Sequence, residues 1–175
     1  MIVHLVGPPA SGKTTFARWF LDKHPFWQYI AIDEIRNYYA KTLKNCRSTE
    51  IEKIVFDKLL IRLNLATDSI LETTGTIWRL KDTWNLVNQK SIYTIKFTDT
   101  TQNLLIRAKN RVREVVYPYN IKDEEVIEEE NNIFVPANLI VRNSTTANKE
   151  IYSQIEWYIL KSRIILDKCV THVKE

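Results

Sequence analysis

The stretch from Ile2 to Phe16 reads IVHLVGPPASGKTTF, and few folds can accommodate it. An apolar run, Ile2-Val3-His4-Leu5-Val6, reads as a buried strand. It leads into Gly7-Pro8-Pro9-Ala10-Ser11-Gly12-Lys13-Thr14 and then into a helix-like apolar face. The pattern is G-x-x-x-x-G-K-S/T with a strand before it and a helix after it, the context that makes such a run a phosphate-binding loop. Gly7 and Gly12 let the backbone curl so that successive N–H groups face an anion. A helix opening at Lys13 adds its unsatisfied amides and the positive end of its dipole at the same place. Lys13 can then reach the β- and γ-phosphates, and the Thr14 hydroxyl can ligate Mg²⁺, a hard cation that prefers oxygen. Two of the three glycines in the chain fall in this loop, which argues against a chance match in a glycine-rich turn. The ligand implied is a nucleoside triphosphate, ATP or GTP, held by Gly7, Pro8, Pro9, Ala10, Ser11, Gly12, Lys13, Thr14 and Thr15, with Mg²⁺.

The length of 175 residues fits one domain, 1–175, able to bury roughly 70% of its unfolded surface. Hydrophobic content of 45% and charged content of 26% place it among ordinary globular proteins. Cys46 and Cys169 have no metal-type spacing and read as unpaired thiols of a reducing, cytoplasmic setting. Met1 runs straight into the first apolar run, so no charged-then-apolar leader is expected. No apolar run approaches the ~18 residues of a membrane span. The net charge of +4 suits an anionic ligand but says little about nucleic acid.

Beyond the loop, Phe16, Ala17, Trp19, Phe20 and Leu21 give a helix ended by His24-Pro25. Phe26 to Ile32 reads as a second buried strand with Asp33-Glu34 at its carboxyl end. A helix follows from Ile35 to Leu43, and a longer one from Glu50 to Ala66. Ser69 to Glu72 is a short strand, followed by the loop signal Thr73-Thr74-Gly75. Helices are expected at Trp78–Gln89, Thr101–Glu114 (basic), Lys122–Asn132 (acidic) and Ala147–Val170, with strands at Ile92–Phe97 and Leu139–Val141. Strands alternating with helices predict an α/β fold: a five-stranded parallel sheet with helices on both faces. Trp157, Tyr158 and Leu160 in the last helix read as core or as contacts of a homo-oligomer. The histidines His4, His24 and His172 have no partner at ligand spacing and receive no chemistry.

Asp33 follows Lys13 at a distance that leaves room for one helix, so it ends the strand immediately after the loop helix. Ligands of open α/β sheets sit outside the carboxyl ends of strands, which faces Asp33 toward the γ-phosphate from the acceptor side. A carboxylate there can accept the proton of an incoming hydroxyl, as a general base in phosphoryl transfer. Arg36, one helical turn on, shares its face and can hold an anionic acceptor. The plainer reading is that Asp33 caps a helix beginning at Glu34.

Gly7-Pro8-Pro9-Ala10-Ser11-Gly12-Lys13-Thr14-Thr15-Phe16-Ala17-Arg18 followed by Asp33-Glu34-Ile35-Arg36 resembles the P-loop kinase domain of polynucleotide 5′-hydroxyl kinases. The resemblance spans roughly residues 2–143. It implies an ATP-dependent phosphotransferase in which Asp33 is the base and Arg36 meets the acceptor phosphate or the transition state. The family also carries two arginines four apart in a lid, which Arg107 and Arg111 match, the lid covering about residues 105–120. Helical spacing of four puts both on one face, where planar guanidinium forks can engage the transferred phosphoryl group. Lys109 and Arg113 point elsewhere and read equally well as a solvated basic face.

One departure is plain. The family usually has Asp-Thr-Asn after its third strand, whereas this chain has Glu72-Thr73-Thr74-Gly75. Glu72 can still order Mg²⁺ through water and Thr74 can still offer a hydroxyl, but the Asn position is a glycine. Thr-Gly endings also occur in toxin-type and small-metabolite kinases of the superfamily, which leaves two acceptors open: a nucleic-acid 5′-hydroxyl, or a sugar, nucleoside, nucleotide-sugar or antibiotic. Arg36, Arg79 and Lys81 are candidates for a basic channel in the first case. The rival class is a nucleotide-driven switch or ATPase without an acceptor, with Glu34 or Gln28 orienting water. P-loop kinases often contact the base just after the last strand, here Asn143-Ser144-Thr145, but nothing in these residues discriminates purines.

Overall fold

A computed structural model of the protein describes residues 1–43, 48–73, 91–110, 126–128, 131, 136–143 and 149–171. Ten elements follow one another: β1 (Ile2–Val6), α1 (Lys13–Lys23), β2 (Gln28–Ala31), α2 (Ile32–Thr42), α3 (Ser48–Leu65), β3 (Ser69–Glu72), β4 (Ile92–Thr98), α4 (Thr101–Lys109), β5 (Leu139–Arg142) and α5 (Lys149–Thr171). Among the described residues the five strands are parallel, in the order β2-β3-β1-β4-β5. Strand β1, the most deeply buried, therefore sits in the middle, and the loop it feeds lies between the carboxyl ends of β3 and β4.

Alternation along the strands sends side chains to two helical layers. Val3 and Leu5 of β1, with Ile70, Ile95, Phe97 and Val141, meet Phe16, Ala17 and Phe20 of α1 and Tyr152, Ile155 and Ile159 of α5. On the opposite face Ile2, Ile30 and Leu71 meet Ile35 of α2 and the i, i+4 stripe Ile51, Val55, Leu59 and Leu63 of α3. The two layers give the expected helices-on-both-faces architecture, and each apolar stripe reads at helical period in the sequence. Among the described residues, no helix is long and apolar enough to cross a membrane.

Three expectations change. The second strand is Gln28–Ala31, not Phe26–Ile32: Phe26 is 95% exposed, because backbone pairing with β3 runs only from Gln28 to Ala31. Helix α2 begins at Ile32 with Ala31 as its N-cap and no side-chain hydrogen bond from that cap, so Asp33 is not the N-cap. Asp33 and Glu34 occupy the first turn, where the helix dipole favours negative charge. Trp157 and Tyr158 are not core: they are 54% and 44% exposed and pack edge-on against each other. The expected helix Trp78–Gln89, the lid beyond Asn110 and most of the acidic helix lie outside the described residues, although Val126–Glu128 and Asn131 are helical.

Candidate active site

The loop after β1 has the backbone its glycines demand. Gly7 and Gly12 have φ of 145° and 100°. A Cβ on Gly7 would stand 2.1 Å from the Phe97 carbonyl oxygen, and one on Gly12 would stand 2.3 Å from Asn143 Nδ2. Ala10 also has positive φ, 60°, a conformation that costs an L-residue about 1 kcal/mol and concentrates at functional turns. Lys13 is buried and folds back over the loop, donating to the carbonyls of Gly7 (2.7 Å) and Pro8 (2.9 Å) and to Ser11 Oγ (3.4 Å). Pro9 and Ser11 are buried within the loop, and Thr15 is exposed in the first turn of α1.

Strand β3 brings Glu72 to the loop. The Thr14 hydroxyl donates to Glu72 Oε1 at 2.7 Å, and the Tyr29 hydroxyl donates to Glu72 Oε2 at 2.5 Å. Burial and the adjoining Glu72 carboxylate hold the Tyr29 phenol well above its usual range, so it keeps its proton. A hydroxyl and a carboxylate at the mouth of a phosphate cradle are the hard oxygen donors that suit Mg²⁺, which takes few protein ligands and completes its shell with water and phosphate. Thr14 and Glu72 thus fit the cation. Among the described residues no cluster of three or more His, Cys, Asp or Glu could hold a metal instead.

On the far side of β3, Arg36 Nη1 donates to Asp33 Oδ1 at 3.0 Å. The rest of its fork engages Glu52 of α3, Nε to Oε1 at 2.8 Å and Nη2 to Oε2 at 3.2 Å. Burial works against the guanidinium charge, but the Glu52 and Asp33 carboxylates outweigh it and hold Arg36 above its ordinary value. Glu52 was missed in the sequence, yet it carries a signal: a carboxylate flanking Ile51 on a buried stripe needs a partner.

Arg107 also has partners. Its Nη2 donates to Asp99 Oδ2 at 2.5 Å and its Nη1 to the Asn143 carbonyl at 3.1 Å. The Asp99 side chain is fully buried and also accepts from the Thr100 amide (2.7 Å) and Asn103 Nδ2 (3.1 Å). Asn143 Nδ2 in turn donates to the Ser11 carbonyl at 3.1 Å. A chain of polar contacts therefore links α4 to the phosphate loop. Thr74, Arg79 and Arg111, expected at the acceptor and the lid, lie outside the described residues.

His4, given no chemistry above, lies 2.8 Å (Nε2) from Thr73 Oγ1. Burial first, then the Lys13 charge, push it down to about 3, so the ring is neutral beneath the loop.

No protein-family model matches the chain, and no curated protein does. Solved structures are similar to it. Shikimate kinase from Acinetobacter baumannii, in complex with shikimate, is 17% identical, with 92% of this chain and 93% of that one covered and a TM-score of 0.62. Shikimate kinase from Aquifex aeolicus is 16% identical over 94% and 99% of the two chains, with a TM-score of 0.61. A gluconokinase from Sinorhizobium meliloti is 11% identical over 94% and 95%, with a TM-score of 0.63. The chain shares their architecture: it has the P-loop kinase fold.

Proposed function

We propose that the chain is a kinase that moves the γ-phosphoryl group of ATP or GTP to a hydroxyl of a small molecule. The observation that carries this reading is the order of the strands. Adjacent carboxyl ends present Asp33 just past β2, Glu72 at the end of β3 and the phosphate loop after β1. Two strand spacings separate the acid from the cradle, about 10 Å, which leaves space for a phosphoryl group and an attacking oxygen between them. Asp33, part-exposed, takes the proton of the acceptor hydroxyl as its oxygen bonds to the γ-phosphorus and the bond to the bridging oxygen breaks. Lys13, released from the loop carbonyls, meets the phosphate oxygens. Thr14 and Glu72 would hold Mg²⁺, which when bound offsets charge on the phosphates.

A small acceptor is favoured by the charge beside Asp33. Arg36 gives its fork to Glu52 and Asp33, so these three groups carry a net negative charge, unfavourable for a polyanionic strand. The similar structures named for shikimate and gluconate kinases fit the same reading. A polynucleotide 5′-hydroxyl remains the second reading, supported by the Asp33–Arg36 contact within the D-x-x-R pair.

The test is incubation with γ-labelled ATP and, separately, a panel of polyols, sugars and nucleosides and a set of 5′-hydroxyl oligonucleotides. Label in a small molecule is expected and should vanish with Asp33→Asn while nucleotide affinity stays. Label in a strand selects the second reading, and free phosphate alone would leave a nucleotide hydrolase.

A further inference from the structure

The Glu72 carboxylate has a helper that neither the motif nor the fold assigns. We propose that Tyr29 is a positioning residue for Glu72, locking that carboxylate onto Thr14 and so setting how strongly the nucleotide site couples to a divalent cation. The inference rests on reading Thr14 and Glu72 as the cation seat.

Glutamate is one methylene longer than aspartate, and that extra torsion carries rotamer freedom that must be lost when the carboxylate is fixed. A carboxylate with one tethered oxygen can swing, whereas one with both oxygens engaged cannot. Here Oε1 accepts from Thr14 and Oε2 accepts from Tyr29, both at charge-assisted distances. The tether is stiff at its other end. Tyr29 lies on β2, its ring is part-buried against the core layer of α1, and its strand is paired to β3 in register. Tyr29 pairs with Ile70 and Ala31 pairs with Glu72, so Tyr29 and Glu72 are diagonal neighbours on one face of the sheet. A residue as long as tyrosine spans that diagonal. With both oxygens already accepting hydrogen bonds, Glu72 is held as an orienting group, which leaves proton abstraction to Asp33. Outer partners that orient a ligand in this way typically govern 10–100-fold in metal affinity or activity.

The experiment measures binding of a non-hydrolysable ATP analogue to the full chain by calorimetry, with EDTA and across a Mg²⁺ titration. Tyr29→Phe removes the hydroxyl and keeps the ring, and the thermal midpoint reports that it folds. It should leave the metal-free dissociation constant within about twofold of wild type and weaken binding in Mg²⁺ about tenfold. Glu72→Asp withdraws the carboxylate from Tyr29, so adding Tyr29→Phe to that variant should change nothing further. A Tyr29→Phe protein with wild-type Mg²⁺ dependence overturns the proposal. So does an equal loss with and without Mg²⁺, and so does full additivity with Glu72→Asp. Wild-type binding that ignores Mg²⁺ instead removes the cation seat itself, and with it the premise. Nucleotide transfer need not be known for any of these readouts.

Discussion

Removing the Glu52 side chain should be among the most destabilising single changes available in this protein, although no catalytic role is assigned to it. Glu52 is 4% exposed at its side chain and Arg36 15%, and Arg36 donates two hydrogen bonds to Glu52. In Glu52→Ala the guanidinium keeps its charge in the same enclosed position, and among the described residues the carboxylate left bonded to it is the 31%-exposed Asp33. An exposed partner of that kind contributes little, since water screens it. Breaking a buried pair from one side costs about 3–5 kcal/mol, against a total stability on the order of 5–15 kcal/mol. For a chain of this length that is a fall of roughly 6–20 °C in the unfolding midpoint. The comparison that isolates the cause is the double variant Arg36→Met with Glu52→Met, which fills similar volume without charge. It should recover most of the loss, because replacing both members of a buried pair is often neutral or better. Urea unfolding followed by circular dichroism gives both free energies. A Glu52→Ala protein within about 1 kcal/mol of wild type would refute the stranded charge outright, and a double variant no more stable than the single would show that the cost is lost packing.

Gly12→Ala places a Cβ 2.3 Å from Asn143 Nδ2 at a φ of 100°, so it both strains the backbone and pushes Asn143 off the Ser11 carbonyl. A loss of roughly 2–4 kcal/mol in urea unfolding is expected, and a loss below about 0.5 would mean that the loop relaxes around the methyl group. His4, neutral in the folded protein and held near 3, must gain a proton on unfolding below its free value of 6.5. Its contribution is therefore complete above pH 6.5 and is lost as the pH falls toward 3, at about 1.4 kcal/mol per pH unit. His4→Gln should flatten the stability profile between pH 6.5 and pH 4, and parallel profiles for the two proteins would refute the assignment. Arg107→Met should cost about 2 kcal/mol, less than a fully enclosed pair because Arg107 is 32% exposed, and Asp99→Asn in the same chain should restore part of it. An Arg107→Met protein as stable as wild type but without turnover would return Arg107 to the role of a transition-state clamp.

The sequence carried the local features well and the long-range ones poorly, for a physical reason. Strand β1, the loop and α1 are specified by contiguous chemistry, with glycine where φ must be positive and apolar side chains at the period of each element. Helices α3 and α5 were found within two residues of each observed end, because their stripes run over many turns. Strand β2 was drawn too long because Phe26 and Trp27 look alike in a pattern, while only Trp27 is covered. Which strand lies beside which is set by crossover connections, and periodicity says nothing about them. Tyr29 reaches a residue 43 positions away and Arg36 one 16 positions away, so neither partnership was legible. Asp99 was closer to being readable: an acid at a strand end, eight positions before an arginine on the helix Thr100 caps, is a pair waiting to be noticed.

The arginines bear on what the site can accept. Helical spacing and the resemblance to polynucleotide kinases led to the expectation that Arg36 and Arg107 meet phosphate, and the structure gives each a buried carboxylate: Glu52 for one, Asp99 for the other. A guanidinium held by a buried carboxylate is less available to an anion, because the incoming charge must displace a partner that is itself desolvated. Lys13 donates to two backbone carbonyls and a hydroxyl of the loop, groups that carry no formal charge and yield readily to phosphate. Asp33, Arg36 and Glu52 together carry one net negative charge beyond β3, whereas Lys13 and Glu72 bring one charge of each sign to the loop after β1. On the proposed reading a triphosphate meets Lys13 and the loop amides and is disfavoured beside Asp33 and Glu52. On the same reading, that negative charge suits an acceptor that brings hydroxyls rather than phosphates to Asp33, and Glu52 bears on it through the Arg36 guanidinium that the two carboxylates share.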